Sequence, residues 1–555
     1  MGVPGFFLWL MKKYKNASFV NEISHYDTKF KWLCLDANCL LHPKCFEVLG
    51  ENPDFKDLDK LEDKMISRSI EYIEKLVSLI NPTEGLYIAI DGVAPVAKIK
   101  QQRLRRFKSI NDRDRMNRLK DKFNIPKTKF WNNSSITPGT DFMDKITNRI
   151  IDWGKKQEYK VVFSSARTPS EGEHKILDFI RLREKNKESG PYVIYGLDAD
   201  LIFLGLALER DDVFLMREAS QLDKTKGEEL TLVDLEVMKK SVIDTMLDNL
   251  DESIKHPKNN ELINDFIFIC YFLGNDFLPH NVSLDVYGKG LDTLLECYAK
   301  MIEITHKPIL DVKRQKSVKF NQKSLFELLK LLKEKEKEIL SELPTKKKYR
   351  APLFGSEYEQ ALQRIETLRF KIDDPVKLGE DTYDEYSKRY YEHFFKDSSD
   401  ENMVRIVYEY LKGLVWVSNY YFVGCPSWEY YYPYDHAPFL GDIERVVGLM
   451  DLSKIKFKLG KPLKPFEQLL LVLPPQSRNL VPKQLQRLFN ESSELGHMYP
   501  ESFKQDFLYK RKFWQGIPEL PYLEINLVKK VYGKNEKKLL KKDKDKLKIG
   551  KDYVL

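Results

Sequence analysis

The first 300 residues of the chain repeat one local pattern, in which a short apolar run is followed by an acidic residue. Continuous apolar runs of this length are typical of strands buried on both faces of a parallel sheet. The runs, each with the acid that follows it, are Trp32–Leu35 with Asp36, Leu86–Ile90 with Asp91, Val161–Phe163 with Glu171, and Tyr192–Tyr195 with Asp198. A chain built this way is constrained to a sheet whose strands all end in carboxylates.

Helical patterns separate the runs, for example at Met65–Ile80 and Phe142–Trp153. Strands that alternate with helices predict the α/β class, with a parallel sheet flanked by helices. Ligands of such sheets bind outside the carboxyl ends of the strands. The acids therefore lie where this fold class places a functional site.

Seven carboxylates have distinctive positions in this pattern. Two pairs have i, i+2 spacing, so that both members can face one centre at the end of a strand or the start of a helix. Asp276 follows an apolar helical pattern that is expected to end at Gly274. The set is Asp36, Asp91, Glu171, Glu173, Asp198, Asp200 and Asp276.

Seven acids at one sheet edge would repel one another strongly, and burying unpaired carboxylates costs several kcal/mol each. Divalent cations compensate for such charge, and all-oxygen ligands select Mg²⁺ or Mn²⁺ over zinc. Two such ions, about 3.5–4 Å apart, catalyse phosphodiester hydrolysis in many enzymes. The alternative, that the acids are ordinary helix caps and surface residues, is open for each one taken alone.

Composition narrows the class of protein. The 555 residues are 42% hydrophobic, which is enough for a buried core and excludes a wholly disordered chain. No apolar run approaches the roughly 20 residues that a membrane helix needs. The six cysteines form no C-x-x-C pair, so a reducing compartment is predicted. We expect the protein to be located in the cytoplasm, and the Lys-rich C-terminal segment leaves a nuclear location as the alternative.

Charge divides the chain further. Residues 98–129 hold thirteen Lys or Arg and three Asp, interleaved with apolar side chains, and can form one basic helical face. Ser324–Ser341 is predicted to be an amphipathic helix, Lys371–Glu401 to be polar and loop-rich, and the Lys-rich end to be a solvated tail. The predicted regions are 1–300 (α/β), 301–402 (helical, charged connection), 403–528 (aromatic-rich, packed on the first) and 529–555 (tail).

Ordered motifs run through both main regions. From Met1 to about residue 525 the chain resembles the catalytic core of the Xrn-type 5′→3′ exoribonucleases, most weakly at 303–401. In the first region the motifs are Met1–Pro4, Leu35–Asn38, Ile90–Pro95, Gln101–Phe107, Ile136–Thr140, Glu171–Ile176, Gly196–Leu201 and Leu273–Pro279. In the second they are Gly424–Trp428, Tyr431–Tyr434, Pro465–Leu469, Leu473–Pro475 and Trp514–Ile517. The resemblance implies a sheet like that of PIN and flap nucleases, with a packed helical, aromatic-rich second region.

The resemblance also implies roles for individual residues. The seven acids would coordinate two metal ions and form the catalytic centre. Lys98, Gln102, Arg105 and Arg106 would form a basic pocket for a 5′-monophosphate, and their offsets of 0, 4, 7 and 8 lie on one helical face. A solvated basic helix face is the alternative interpretation of these four residues.

Base stacking is the last role that the resemblance implies. His42 would stack on a nucleobase, although a His after an apolar run is otherwise more often a core or capping residue. We expect the facing wall to come from the second region, with Trp428 preferred and Trp416 second. Both Trp residues could equally be core packing, because residues 420–432 are crowded with aromatics.

The chain departs from the family pattern in two places. Gly5 and Leu8 stand where the family usually has basic residues, and Asp435-His436 replaces a His-Tyr pair. The expected activity is processive 5′→3′ hydrolysis of 5′-monophosphorylated single-stranded RNA to mononucleotides, by a monomer without membrane attachment. A DNA nuclease with the same metal centre and a catalytically inert RNA-binding scaffold are the alternatives. A decapping or RNA-processing partner is compatible with the sequence but not specified by it.

Overall fold

The structure is a computed structural model in which a central sheet carries hydrophobic clusters on both faces. It describes residues 9, 19–20, 28–127, 129–196, 198, 200–218, 229–251, 253–285, 289–345 and 350–555. Gly5 and Leu8 lie outside the described residues. None of the helices among these described residues combines the length and the hydrophobicity of a transmembrane segment.

The main sheet has eight strands in the order β1-β7-β6-β5-β2-β3-β4-β12. Its strands are β1 (Phe19–Val20), β2 (Trp32–Asp36), β3 (Gly85–Ala89), β4 (Val161–Ser164), β5 (Tyr192–Tyr195), β6 (Val213–Glu218), β7 (Leu230–Asp234) and β12 (Tyr553–Val554). The five central strands, β6 to β4, are parallel, and β1, β7 and β12 add antiparallel edges. Two short hairpins pair β8 (Leu310–Lys313) with β9 (Ser317–Phe320), and β10 (Gln505–Asp506) with β11 (Ile517–Pro518).

Alternation along the central strands explains why both faces are covered. In β2, Trp32 and Cys34 join the cluster on one face, whereas Leu33 and Leu35 join the cluster on the other. All five residues of β2 are buried, as a parallel strand between two helical layers requires. The predicted α/β fold is therefore confirmed.

Helices make up most of the remaining structure. They are α1 (Ala37–Glu51), α2 (Leu58–Ile80), α3 (Val96–Lys122), α4 (Asp141–Gly154), α5 (Gly172–Lys185), α6 (Asp200–Ala207), α7 (Leu235–Leu247), α8 (Asn259–Cys270), α9 (Gly290–Thr305), α10 (Gln322–Ser341), α11 (Glu357–Glu366), α12 (Tyr383–Phe395), α13 (Asp400–Phe422), α14 (Leu440–Val447), α15 (Pro465–Val472), α16 (Lys483–Gln486), α17 (Ile525–Glu536) and α18 (Lys541–Asp545). The predicted amphipathic helix at 324–341 is confirmed as α10. The prediction that residues 371–401 are loop-rich is wrong in part, because this segment contains α12. The buried face of α12 consists of Tyr386, Tyr390 and Tyr391.

The second region packs directly on the first, mainly through the basic helix α3. Val96 and Ile99 of α3 share a hydrophobic cluster with Phe466 and Leu469 of α15. Arg103 of α3 is buried, and its Nη1 donates a hydrogen bond of 2.8 Å to the Leu471 carbonyl. One face of α3 is therefore fixed, and its other faces are left to line functional surfaces.

The prediction of a solvated tail at residues 529–555 is wrong. Val531, Tyr532 and Leu539 of this segment are buried, so the lysines between them lie on the outer side of a folded element. The last strand, β12, then pairs antiparallel with β4, with Tyr553 opposite Phe163. The Lys-rich composition hid the apolar positions that dock this segment on the sheet.

Candidate active site

The structure brings all seven acids together at the carboxyl edge of the parallel strands. Each acid lies at the end of a strand or at an adjacent helix terminus, which is why neighbours in the sheet order β5-β2-β3-β4 present them to one another. Asp36 ends β2, Asp91 follows β3, Glu171 and Glu173 open α5 after β4, Asp198 and Asp200 lie between β5 and α6, and Asp276 follows a 3₁₀ turn at Tyr271–Leu273.

Backbone contacts fix the centre of this cluster. Asp91 Oδ1 accepts a hydrogen bond of 2.7 Å from the backbone N–H of Gly172, and the Asp91 N–H donates to Asn38 Oδ1 at 3.0 Å. A Cβ at Gly172 would lie 2.8 Å from Asp36 Oδ1. Glycine is therefore required at position 172 for the two strand ends to approach α5.

A buried lysine, Lys175, holds the backbone next to Asp91. Lys175 Nζ donates hydrogen bonds to the Ile90 carbonyl at 2.6 Å and to the Ser165 carbonyl at 2.9 Å. Burial lowers the pKa of Lys175 to about 7, although Asp91 and Asp552 oppose that shift. Because Ile90 immediately precedes Asp91, Lys175 fixes the end of β3 that carries this acid.

Residues of both regions surround Glu171 and Glu173. Ligand atoms of Glu171, Glu173 and His174 lie within 4.8 Å of one another, close enough to share a cation. Glu171 Oε1 accepts a hydrogen bond of 2.7 Å from the hydroxyl of Tyr420, a residue of α13. The ring of Tyr420 also lies against His174, with centroids 3.8 Å apart. No local sequence pattern marks Tyr420, because its role depends on how α13 packs on α5.

Lys98 lies among the acids. Its Nζ is 2.5 Å from Glu171 Oε2 and 2.7 Å from Asp276 Oδ2. Burial lowers the pKa of this ammonium group, but Asp276 and Glu171 outweigh burial and raise it well above the usual value. Conversely, Lys98 holds the pKa of Asp276 below its usual range despite burial. Lys98 was predicted to bind a phosphate, and the structure places it between the acids and the rest of that predicted pocket on α3.

Lys98 does not offset the effects of burial and of neighbouring acids on the pKa values of Asp36 and Asp200. Burial and the charges of Asp91 and Asp198 raise the pKa of Asp36 to about 7, and burial, Asp198 and Asp276 raise that of Asp200 to about 8. Oδ1 of Asp36 and Oδ1 of Asp200 are buried and accept no hydrogen bond from the described residues. Buried carboxylate oxygens without donors fit a site for hard divalent cations, whose preferred ligands are oxygens.

The predicted phosphate pocket continues along α3 from Lys98. Gln102 is buried and its Oε1 has no hydrogen-bond partner in the described part of the chain. Arg106 Nη2 donates to Thr137 Oγ1 at 2.6 Å, whereas its Nη1 is buried and has no partner there. Burial and the neighbouring Arg105 lower the pKa of Arg106 to about 9. A buried guanidinium with an unused donor is a suitable site for an anion.

His42 lies near the two arginines. Burial lowers the pKa of His42 to about 4, with further contributions from Arg105 and Arg106. The imidazole is therefore neutral at physiological pH. It offers a flat, uncharged ring beside the pocket, which suits contact with a base better than contact with a phosphate.

The two Trp residues predicted to stack on a base differ sharply. Trp416 is 0% exposed, stacks on Tyr420 with centroids 4.7 Å apart, and donates its indole N–H to the Ser427 carbonyl at 3.0 Å. The prediction that Trp416 stacks on a base is wrong, because its ring lies in the core. Trp428 is partly exposed, and its backbone carbonyl accepts from the N–H of Val96 at the start of α3.

A cleft of about 900 Å³ extends from the acids along α3. Asp198 and Asp276 line it together with Arg105, so that it joins the acid cluster to one residue of the predicted phosphate pocket. Trp514, which is 50% exposed, lines the same cleft. Its motif was recognised in the sequence, but only the fold shows that its ring faces the cleft.

The departure at Asp435-His436 also lies on this cleft. Lys100 Nζ is 2.8 Å from Asp435 Oδ1, and His436 Nε2 is 3.0 Å from Asp506 Oδ2. Asp435 and His436 are thus each paired with an oppositely charged or hydrogen-bonding side chain of this protein.

Comparisons with known proteins agree with this geometry. A family model described as "XRN 5'-3' exonuclease N-terminus" matches residues 1–219, and one described as "Xrn1 helical domain" matches residues 257–368 and 355–555. A Candida albicans protein named "5'-3' exoribonuclease 2" is 29% identical over 96% of this chain and 72% of its own length. An Arabidopsis thaliana protein of the same name is 29% identical over 97% of this chain and 68% of its own length. A human protein named "5'-3' exoribonuclease 1" is 32% identical over 94% of this chain, which spans 33% of that protein.

Proposed function

The chain belongs to the Xrn family of 5′→3′ exonucleases, and from that premise we propose that it degrades single-stranded RNA processively from a 5′-monophosphate end. The products would be mononucleotides, and the reaction would be hydrolysis of a phosphodiester bond. The observation that carries this proposal is the position of α3. One helix presents Lys98 to the acid cluster and, one to two turns later, presents Gln102, Arg105 and Arg106 as an anion site.

Metal ions are part of the proposal. The orphaned oxygens of Asp36 and Asp200 support the prediction that the seven acids hold two Mg²⁺ or Mn²⁺ ions. When bound, such ions activate water and stabilise the leaving oxygen in phosphodiester hydrolysis. His174, which was not predicted as a ligand, is close enough to Glu171 and Glu173 to join them.

The protein groups position the substrate. Arg105 and Arg106 bind the terminal phosphate through guanidinium donors, and Gln102 accepts or donates one further hydrogen bond. Because Gln102 and Nη1 of Arg106 are buried, the pocket favours a compact monophosphate over a cap or a triphosphate. A 5′-hydroxyl end would leave the buried guanidinium without its anion. Lys98, between this pocket and the acids, would neutralise charge on the strand as it enters.

The cleft along α3 supports a path for the rest of the strand. His42 would stand over the first base, and Trp514 together with Trp428 would supply facing aromatic surface. Stacking tolerates any base and contributes about 1–3 kcal/mol per base. A path lined in this way holds a single strand, so degradation should stall at a stable duplex without a 5′ overhang.

The cysteines bear on the compartment in which the protein acts. The six cysteines are free thiols, which supports the predicted reducing compartment, and we propose the cytoplasm. We also propose that the enzyme acts as a monomer. A decapping or RNA-processing activity that generates 5′-monophosphate ends would supply its substrate.

One assay tests the function. Purified protein is incubated with matched 5′-phosphate, 5′-hydroxyl, triphosphate and capped RNAs and with 5′-phosphorylated DNA, in Mg²⁺ or in EDTA. The proposal expects mononucleotides from 5′-phosphate RNA alone, and no product in EDTA. Equal cleavage of DNA would instead support the DNA nuclease, and binding without cleavage in Mg²⁺ or Mn²⁺ would support the inert scaffold.

A further inference from the structure

A second cluster of titratable side chains lines the cleft, outside the acid cluster and the phosphate pocket. It consists of His436, Asp506, Lys510 and His280, and all but Asp506 line the cleft itself. His280 belongs to the loop that carries Asp276, and that loop is closed by a 2.9 Å hydrogen bond from the N–H of Asn275 to the Leu278 carbonyl. The cluster therefore adjoins the reaction centre but has no role in the proposed chemistry.

Contacts fix the orientation of His436. Its Nε2 is 3.0 Å from Asp506 Oδ2, and its ring stacks on Phe394 with centroids 3.9 Å apart. Asp506 is itself held, since its Oδ1 accepts from the N–H of Leu508 at 2.8 Å. A carboxylate only accepts hydrogen bonds, so Nε2 of His436 carries the proton.

The other ring nitrogen of His436 is then an acceptor. Burial lowers the pKa of His436, and Lys510 adds to the effect, whereas the hydrogen bond to Asp506 opposes it. The ring is neutral at physiological pH, and Nδ1 keeps its lone pair. A lone pair repels phosphate oxygens but accepts a hydrogen bond from a hydroxyl.

Lys510 supplies the complementary group. Its ammonium makes no ion pair within the described part of the chain, and burial lowers its pKa against the opposing charge of Asp506. His280, the third member lining the cleft, is neutral because burial lowers its pKa to about 3, with Lys510 and His436 contributing. The cluster thus offers one donor, Lys510, beside one acceptor, His436.

We propose that His436 and Lys510 bind a ribose 2′-hydroxyl of the RNA strand in the cleft and so select RNA over DNA. The hydroxyl is the one group of the sugar that distinguishes the two polymers, and it both donates and accepts. It would donate to Nδ1 of His436 and accept from Nζ of Lys510. A deoxyribose would leave both groups unpaired, and such a loss is disfavoured strongly in a desolvated site. This inference rests on the proposed function.

The test compares 5′-phosphorylated RNA with the same strand carrying one 2′-deoxynucleotide, moved through the first six positions. We expect wild-type kcat/KM to fall about tenfold at one or two positions, the effect of losing one or two hydrogen bonds. His436→Phe keeps the ring stack on Phe394 but removes the acceptor, and Lys510→Met removes the donor. Both should reduce the all-RNA rate and abolish the positional sensitivity.

Two further variants separate this role from a structural one. Asp506→Asn offers an amide donor to Nε2, which shifts the proton to Nδ1 and turns the acceptor into a second donor, so the sensitivity should also be lost. Lys512→Met removes an exposed charge two residues from Lys510 and should keep the wild-type profile. Unchanged sensitivity in folded His436→Phe and Lys510→Met would overturn the inference. Failure of the wild type to degrade 5′-phosphate RNA would overturn the proposed function instead.

Discussion

The acid cluster and the wall of the cleft beside it are built from different kinds of structure. Six of the acids lie at the ends of parallel strands or at the start of the helices that follow, and Asp276 follows a 3₁₀ turn. Lys175 and Asn38 hold the backbone around Asp91, and the N–H of Gly172 donates to its side chain. The cleft wall combines α3 with distant segments of the second region, including Trp514 and His436. Trp514 is half-exposed there, and His436 is held by its own partner, Asp506.

This difference predicts how each part responds to substitution. In the acid cluster, charge is concentrated and poorly compensated, so that one altered position changes the whole site. Along the cleft, contacts contribute about 1–3 kcal/mol each and are closer to additive. Variants should therefore fall into a group with severe loss of turnover and a group with graded loss of binding or selectivity.

The largest effect is expected from Asp91→Ala and Asp200→Ala. Loss of a metal ligand forfeits several kcal/mol of transition-state stabilisation, so turnover should fall at least about a thousandfold while RNA binding is largely kept. Mn²⁺ binding, measured by calorimetry, should weaken in parallel. Exposed Asp54→Ala is the control. Near-normal turnover in either variant would remove the two-metal interpretation.

Lys175→Met should give the next largest effect. It leaves the Ile90 carbonyl without a donor, whereas the Ser165 carbonyl still accepts from the N–H of Thr168. The free energy of unfolding should therefore fall by about 1–3 kcal/mol for the one unpaired buried group. Because the end of β3 is released, kcat should fall about 10- to 100-fold. Thermal unfolding and steady-state kinetics measure the two effects, with exposed Lys185→Met as the control. A stable, fully active variant would show that Asp91 needs no such support.

Arg105→Ala tests the phosphate pocket. Removal of a charge-assisted hydrogen bond of about 1.5–3 kcal/mol should narrow the preference for 5′-phosphate over 5′-hydroxyl RNA by about 10- to 100-fold. Arg118→Ala, on the same helix but farther along it, should leave the ratio as in the wild type. If Arg105→Ala also keeps the ratio, the phosphate binds elsewhere.

Trp514→Ala should produce the smallest loss. One stacking contact of about 1–3 kcal/mol corresponds to a roughly 5- to 150-fold weaker Kd for single-stranded RNA, with unfolding temperature unchanged. Trp416→Ala should instead lower the unfolding temperature as its primary effect, because the Trp416 ring lies in the core. Trp428→Ala tests the residue that the sequence analysis preferred for stacking, and because its ring is partly exposed we expect a weaker Kd there too. An unaltered Kd in Trp514→Ala would exclude its ring from the RNA path.

The sequence predicted the acid cluster well because its information is local. A buried strand and the acid that ends it are adjacent in the chain, and the parallel topology then brings such ends together. The stacking wall was predicted poorly, since Trp416 and Trp514 differ only in tertiary environment. Tyr420 and Lys175 were missed for the same reason: each acts on an element far from it in sequence. The prediction of a solvated tail was wrong because the many lysines concealed Val531, Tyr532 and Leu539, whose buried side chains dock this segment on the rest of the protein.

The central claim is that this centre removes nucleotides from a free 5′ end, and a comparison of linear and circular RNA tests it most directly. Both forms of one internally labelled RNA, the linear form with a 5′-monophosphate, are incubated with the enzyme in Mg²⁺ and followed over time. The account predicts that the linear form yields mononucleotides with few intermediates while the circle persists. Cleavage of the circle into internal fragments at a comparable rate would contradict it.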